Sequence, residues 1–240
     1  MSALNLRRFE KSLIVRPLRA ADWVRVVALQ EKCFPKMGPW TKEQFDSQLT
    51  IFPEGQICAE YQGKLVASSS SLLLDFELYK DWHSWEEISD NGFIRNHKPT
   101  GKTLYGIELM VDPDARGFKL ARRLYDARKQ LAREKNLMRI VIGGRLPGYA
   151  AHAQEMAPRE YIDKVVSRKL NDPVLTTQLA NGFVLKRVII AIQICYDIEF
   201  PEVTRIAVAQ GAQIIFVPFC TDERYSYLRV RYCAQARCVE

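Results

Sequence analysis

The stretch Val111-Asp112-Pro113-Asp114-Ala115-Arg116-Gly117-Phe118-Lys119-Leu120-Ala121 decides how most of this chain folds. It follows the run Thr103 to Val111, whose mostly apolar residues predict a buried strand. Beyond the turn, apolar residues recur with the i, i+4, i+7, i+11 spacing of an amphipathic helix, at Leu120, Leu124, Ala127 and Leu131. The pattern therefore predicts a strand that turns directly into a helix packed on a sheet.

The residues on either side predict further strands and helices in alternation. Before the stretch we expect a strand at Leu13 to Arg16, a helix at Ala20 to Gln30, a capped helix at Lys42 to Leu49, and a hairpin of Gln56 to Tyr61 with Lys64 to Leu74. After it we expect a strand at Arg139 to Ile142 and helices at Pro158 to Leu170 and Pro173 to Ala180. The long segment Asp75 to Lys102 predicts a loop, either lining a substrate site or forming a peripheral insertion.

The composition is that of a soluble α/β protein. No apolar run is long enough for a membrane span, and the first residues lack the pattern of a signal peptide. The six cysteines form no CxxC pair, which favours reduced thiols and a cytoplasmic location. The net charge of +7 comes partly from Lys119 to Lys135 and Arg224 to Arg237. These basic residues fit solvated helix faces, an anion site for a phosphorylated cofactor or, less well, a nucleic-acid surface, so we expect no nucleic-acid partner. No metal is expected, because the cysteines have no histidine partner at zinc spacing.

The start of the helix at Leu120 is a candidate anion site. The first N–H groups of a helix have no partner within the helix and carry the positive end of its dipole. Gly117 lets the backbone approach a ligand, and Arg116, Lys119 and Arg122 add positive charge. These residues alone are only a weak signal for a phosphate-binding helix start, and an ordinary capped helix with Gly117 in its turn is the alternative.

The segment resembles motif A of the GNAT-type N-acetyltransferases, Q/R-x-x-G-x-G/A, with Arg116 and Ala121 at its ends and Lys119 in place of the central glycine. The resemblance runs from about Ile14 to Val188 and implies a GNAT-like mixed sheet flanked by helices, a domain spanning residues 1–188, and acetyl-CoA as acyl donor. It implies a pyrophosphate site at Arg116, Gly117, Phe118, Lys119, Leu120, Ala121 and Arg122. The strand edge at Met110 and Val111 would hold the pantetheine.

The same resemblance implies the residues of an acyl transfer. Glu108 is the expected catalytic base for the amine substrate, which would be a small molecule or a peptide, with His152 as the alternative. Asn171 lies 11 residues before Gly182, where the family often has a cofactor-binding asparagine. Seven residues further on, the family has a tyrosine that donates a proton to the leaving thiolate. This chain has Gln178 there, and its amide cannot donate that proton. Tyr149 and Tyr161 are candidate helpers.

A second signature lies at Gln193-Ile194-Cys195-Tyr196-Asp197-Ile198-Glu199-Phe200-Pro201-Glu202. It resembles the nucleophile region of the nitrilase, or carbon–nitrogen hydrolase, superfamily, with Cys195 as the thiolate nucleophile. Together with Gly143 to Tyr149 and Asp172 to Leu175, it is similar to acetyltransferase domains fused ahead of such a hydrolase.

Residues 189–240 match only part of the hydrolase, a strand-helix-strand tail of the αββα fold without the family's upstream glutamate and lysine. We therefore expect no hydrolysis by this chain alone. The tail would be a fragment left by an internal deletion, or a surface covered in a homo-oligomer. A non-catalytic CoA-sensing domain is the remaining alternative, because Gln178 replaces the acid.

Overall fold

The computed structural model describes residues 12–35, 37–79 and 83–185, the short strands at 190–192 and 214–216, and the single positions 228, 232 and 233. The chain divides into two compact units, residues 1–145 and 146–240. Cys195, the nucleophile candidate of the second signature, lies outside the described residues. The predicted division at residue 188 stays a prediction.

The first unit is built on a five-stranded sheet whose strands lie in chain order. These strands are β1 (Leu13–Pro17), β2 (Ile57–Tyr61), β3 (Lys64–Leu74), β4 (Thr103–Val111) and β5 (Arg139–Ile142). The pairs from β1 to β4 are antiparallel, whereas β5 is parallel to β4. A parallel pair needs a crossover, which the helix between β4 and β5 provides.

Local sequence signals explain these elements. The turn residues Gln62 and Gly63 have φ angles of 49° and 76°, the left-handed conformation that a two-residue hairpin turn requires. Both bonds of the predicted capping box form between Thr41 and Gln44. The predicted loop 75–102 contains a 3₁₀ turn at Phe76–Tyr79 and a short helix, which we had not predicted.

Four helices accompany this sheet: α1 (Trp23–Cys33), α2 (Lys42–Ile51), α3 (Trp85–Ser89) and α4 (Leu120–Glu134). Two apolar clusters pack them against the strands. The larger cluster includes Val26 of α1, Phe45 of α2 and Ile88 of α3, and the smaller one holds Leu120 and Leu124 of α4 against β2 and β3. The mixed sheet flanked by helices is therefore confirmed.

The second unit contains α5 (Pro158–Val166), α6 (Leu175–Ala180), β6 (Ile190–Ile192) and β7 (Ile214–Phe216). Helix α5 ends four residues before the predicted Leu170, and Arg168 beyond it has a φ of 62°. Helix α6 begins at Leu175 rather than the predicted Pro173, although the Asp172 carboxylate accepts the N–H groups of Val174 and Leu175 in the manner of an N-cap. Strands β6 and β7 are parallel.

Candidate active site

The connection from β4 to α4 has the backbone of an anion-binding turn. Asp112 caps a 3₁₀ turn by accepting the N–H of Asp114. Gly117 then has a φ of 89°, and Lys119 has a φ of 58°. Lys119 thus adopts the left-handed conformation that favours the family's glycine at this position, at a cost of about 1 kcal/mol. The substitution leaves the turn's path intact.

The N-terminus of α4 is open. Lys119 is its N-cap and no side chain accepts a hydrogen bond there. No acidic residue occupies the first turn, so the positive end of the helix dipole is not neutralised within the helix. In the part of the chain that the structure describes, the N–H groups of Leu120, Ala121 and Arg122 have no hydrogen-bond acceptor, as expected for a first helical turn without a cap.

The charges around this turn favour an anion. Arg116, Lys119 and Arg122 are all exposed, and among the described residues only Arg122 approaches a carboxylate, at 3.9 Å from Asp126. The two carboxylates closest in sequence, Asp112 and Asp114, are both paired with Lys32 of α1, at 2.6 and 2.7 Å. Lys32 thus offsets one of their two negative charges, and the three exposed basic residues outnumber the other.

Strands β4 and β5 part beside this turn. They pair only from Thr103–Arg139 to Gly106–Ile142, whereas β4 continues to Val111. The register with β3 shifts where Ser70 pairs with Glu108 and Ser71 with Gly106, so Ile107 is an extra residue in β4. Past Gly106, the edge of β4 that faced β5 has no partner strand among the described residues, which leaves backbone groups for a ligand.

The predicted pantetheine contacts lie on this stretch. The Met110 side chain is buried in the core, so only its backbone faces the strand edge. Val111 is partly buried, and its carbonyl accepts a hydrogen bond from the Cys33 thiol at 3.3 Å. Trp85 donates its indole N–H to the carbonyl of Ile107 at 3.1 Å.

Glu108 is held by two neutral donors. Gln30 donates to one carboxylate oxygen at 2.8 Å, and the indole N–H of Trp40 approaches the other at 3.3 Å. Gln30 also accepts the backbone N–H of Trp40, so the three side chains form one network. Burial raises the pKa of Glu108 above its ordinary value, and the two hydrogen bonds oppose this only in part. A carboxyl with a raised pKa is a better proton acceptor near neutral pH.

The sequence did not single out Arg128 of α4. Its side chain is buried, and its Nη2 donates to the backbone carbonyls of Ser70 at 2.8 Å and Glu108 at 2.6 Å. These carbonyls flank the bulge at Ile107. A Cβ on Gly106 would lie 2.5 Å from Nη1, so the glycine makes room for the guanidinium. The spacing of four residues from Leu124 already indicated a position facing the core.

A second group that the sequence did not indicate is the pair of Tyr105 and His83. The tyrosine hydroxyl lies 2.9 Å from Nε2 of His83, and the two rings meet edge to face with Phe76 beside them. Burial raises the pKa of Tyr105 to about 12 and lowers that of His83. At neutral pH the pair therefore consists of a protonated hydroxyl and a neutral imidazole, joined by one hydrogen bond. Sequence reasoning could not find this pair because its members belong to a loop and a distant strand.

The remaining predicted residues belong to the second unit. Asn171 is exposed in the loop before α6, whereas Gln178 is buried within α6. His152 is partly exposed and lies 3.5 Å from Glu155. The hydroxyls of Tyr149 and Tyr161 are engaged, one by the Met156 carbonyl and the other by the Asp172 carboxylate, both at 3.0 Å. The roles predicted for these residues stay predictions.

Asp172 organises the second unit. Its carboxylate is fully buried and accepts the backbone N–H of Gly148 and the hydroxyl of Tyr161, as well as the two N–H groups at the start of α6. A Cβ on Gly148 would lie 2.3 Å from the Tyr161 hydroxyl. The bond from Gly148 to Asp172 therefore joins the segment that ends at Tyr149 to the segment Asp172 to Leu175.

The described residues contain no cluster of three or more His, Cys, Asp or Glu side chains able to hold a metal ion. None of their helices is both long and apolar enough to cross a membrane.

Two family models match the chain. That of the acetyltransferase (GNAT) family matches residues 23–153, and that of the carbon–nitrogen hydrolases matches residues 122–238. Two relatives come from Bacillus subtilis (strain 168). The probable hydrolase YhcX is 31% identical over 420 residues, which cover 99% of this chain and 82% of YhcX. The uncharacterized N-acetyltransferase YkwB is 36% identical over 180 residues, which cover 73% of this chain and 79% of YkwB.

Solved structures show the same fold. The loading GNATL domain of CurA from Lyngbya majuscula superimposes with a TM-score of 0.62 at 18% identity, over 73% of this chain and 86% of that domain. The GphF GNAT-like decarboxylase in complex with isobutyryl-CoA gives a TM-score of 0.54 at 21% identity, over 70% of this chain and 84% of that protein. With the family match over more than half of the chain and the motif A turn in place, this chain belongs to the GNAT family of acetyltransferases.

Proposed function

We propose that the chain is an acyl-CoA-dependent N-acyltransferase that moves an acetyl or related acyl group to an amine. The observation that carries this proposal is the uncapped start of α4 behind the left-handed residues Gly117 and Lys119. Three consecutive N–H groups, the helix dipole and the exposed Arg116, Lys119 and Arg122 suit the pyrophosphate of CoA. The GphF protein, which was solved with isobutyryl-CoA, shares this fold and supports an acyl-CoA donor.

The open edge of β4 would place the thioester. A pantetheine arm lying beside Ile107 to Val111 would take the hydrogen bonds that β5 supplies to the first part of the strand. The thioester would then lie near the bulge at Ile107. Glu108, adjacent to this bulge, is the candidate base.

Glu108 would take a proton from the attacking ammonium, directly or through water. The amine nitrogen then attacks the thioester carbon, the carbon–sulfur bond breaks, the CoA thiolate leaves, and the second proton of the nitrogen passes to water or to the thiolate. A thiol with a pKa of about 8.5 is a tolerable leaving group as its thiolate, so Gln178 in place of a tyrosine acid would slow this step without preventing it. Tyr105, which is hydrogen-bonded to His83, is a further hydroxyl in the first unit.

The acceptor would be a cationic amine. The segment 75–102 carries exposed carboxylates at Glu86 and Glu87 in the first turn of α3, next to the exposed ring of Trp85. Carboxylates and an aromatic face together favour ammonium groups. A panel of small-molecule and peptide amines would decide which of the two classes is the acceptor.

Calorimetry with acetyl-CoA tests the premise. The decisive variant is Gly117→Ala, because a Cβ there meets no protein atom within 4 Å and would project where the phosphates must approach. Gly63→Ala is the matched control, since Gly63 also has a positive φ and open space but lies in the β2–β3 turn. We expect both variants to lose similar stability and only Gly117→Ala to lose binding, by about tenfold or more. Absence of acetyl-CoA binding to the unaltered chain would contradict the proposal.

A second candidate function is carbon–nitrogen hydrolysis through Cys195. It is favoured by the hydrolase model over residues 122–238 and by the likeness to YhcX. However, the likeness to YhcX spans 420 residues whereas this chain has 240, so about 180 of those positions have no residue here. We therefore place the hydrolase activity in longer relatives. Rapid labelling of Cys195 by a thiol probe at neutral pH would instead favour it here.

The non-enzymatic alternative is a CoA-sensing domain. It shares the pyrophosphate site with the transferase and differs only in turnover. Tight binding of acetyl-CoA without release of free thiol across a panel of amines would select this alternative.

A further inference from the structure

Arg128 is a buried cation whose hydrogen-bonding capacity is only partly used. It is 1% exposed, and its Nη2 donates to the carbonyls of Ser70 and Glu108. Its Nε is buried without an acceptor, and its Nη1 donates to no atom of the described residues. A guanidinium has five N–H donors, so three of them have no protein partner here.

The charge of Arg128 has no close counter-ion either. In the described part of the chain it forms no ion pair, and the groups that act on it electrostatically are the Tyr125 phenol and, after it, the Glu108 carboxyl. The Glu108 carboxylate is itself turned to Gln30 and Trp40. Burial lowers the pKa of Arg128 to about 10, which still leaves it protonated at neutral pH. Buried cations without a partner are costly and rare in proteins, except where a ligand supplies the missing charge.

The position of this cation identifies the ligand's location. Nη1 lies on the side of Gly106 where a Cβ would be, 2.5 Å from that point, and Cγ2 of Ile142 lies 3.0 Å from the same point. Gly106 and Ile142 are the last residues that pair before β4 and β5 part. The two Nη1 donors therefore lie beside the last paired residues, next to the gap in which the acyl end of the thioester is proposed to lie.

We propose that Arg128 binds a carboxylate carried by the acyl group of the donor, so that the preferred thioesters are those of dicarboxylic acids. This inference rests on the proposed acyl-CoA function. A carboxylate supplies both the missing charge and two acceptor oxygens for the fork of N–H groups. A neutral acyl chain would supply neither, and would place methyl groups against an uncompensated charge.

The first test compares ligands on the unaltered protein. Succinyl-CoA and butyryl-CoA have acyl chains of equal length and differ in a terminal carboxylate against a methyl group. We expect calorimetry to give about tenfold or more tighter binding for succinyl-CoA or its shorter homologue malonyl-CoA. The inference would be overturned if both carboxylated ligands bound no more tightly than butyryl-CoA. If neither the acyl-CoA ligands nor free CoA bound at all, the proposed function itself would be refuted.

The second test removes the charge. Arg128→Gln keeps a donor near the two carbonyls but is neutral, and Arg133→Gln is the control because Arg133 is exposed in the last turn of α4. We expect Arg128→Gln to bind succinyl-CoA and butyryl-CoA equally while retaining the affinity for free CoA, and the control to keep the preference. Equal weakening of all three ligands in Arg128→Gln would assign Arg128 to the bulge alone. The comparison on the unaltered protein stands even where the variant does not fold.

Discussion

At the scale of single residues, the site depends on backbone conformations that the side chains do not favour. Lys119 occupies the left-handed region where motif A has glycine, so the turn before α4 forms at some cost in stability. Its long side chain is exposed and adds a positive charge that glycine lacks. The departure from the motif therefore exchanges a little stability for electrostatic attraction to an anion.

Glu108 gives the sharpest prediction at this scale. We expect Glu108→Gln to reduce the rate of acyl transfer by about 100-fold or more, because the amide cannot accept the ammonium proton. Affinity for acetyl-CoA should stay within about twofold. The control is Glu31→Gln, since Glu31 is exposed on α1 beside Gln30.

The pH dependence follows from the direction of the pKa shift. A base must be deprotonated, and burial raises the pKa of Glu108 above the ordinary 4.5. The rate should therefore fall with decreasing pH at a higher pH than an unperturbed glutamate would give, and this acid limb should vanish in Glu108→Gln. An unchanged rate and limb in that variant would make Glu108 a structural residue.

Residue positions were predictable where the reason is local. Glu108 follows from its place on the strand before the motif, and Gly117 from its turn. The partners of Glu108 were not predictable, since Gln30 and Trp40 lie 78 and 68 residues away in the chain. Arg128 was missed because an arginine next to an apolar stripe ordinarily reaches solvent, and its burial depends on the absent side chain of Gly106.

At the scale of elements, periodicity and turn chemistry predicted most of the first unit. The bounds of β3, β4 and β5 agree with the predicted runs, and the capping box forms as expected. Differences occur at helix ends, as at α5, which stops at Val166 before the left-handed Arg168. The parting of β4 from β5 was also not predictable, because it depends on where a parallel partner ends.

Asp172 carries the prediction at this scale. In Asp172→Asn an NH₂ group replaces one carboxylate oxygen. This NH₂ group would face two donors, either those of Gly148 and Tyr161 or those of Val174 and Leu175, and could accept a hydrogen bond from neither. We expect a loss of about 2–4 kcal/mol in the free energy of unfolding, measured with urea on the full chain. The control Asp163→Asn removes a surface pair with Arg159 on α5 and should cost below about 0.5 kcal/mol. Similar losses in both variants would contradict the role assigned to Asp172.

At the scale of the whole molecule, the chain combines the motif A turn of the GNAT family with a segment that matches the carbon–nitrogen hydrolases. The GNAT model matches residues 23–153 and the hydrolase model begins at residue 122, so the two matches overlap. The two compact units divide at Arg145 and Leu146, inside that overlap. Sequence reasoning identified both families from short motifs, because their chemistry fixes a few residues tightly.

The cysteine of the second family tests this division of labour. We expect Cys195→Ala to leave the rate of acyl transfer within about twofold, and we expect neither form of the protein to release ammonia from a panel of amides and nitriles. A hydrolysis rate that is present in the unaltered chain and lost in Cys195→Ala would show that the tail is catalytic. Retained hydrolysis in the variant would point to a contaminating enzyme.

The thiol of Cys33, which donates to the Val111 carbonyl at the end of β4, has a consequence for an enzyme that handles activated acyl groups. Burial raises the pKa of this thiol to about 11, so only about one molecule in ten thousand carries the thiolate at neutral pH. A thioester held along the neighbouring strand thus meets a sulfur that is almost never nucleophilic. Under the proposed function, this protonated thiol would keep the protein from acylating itself during turnover.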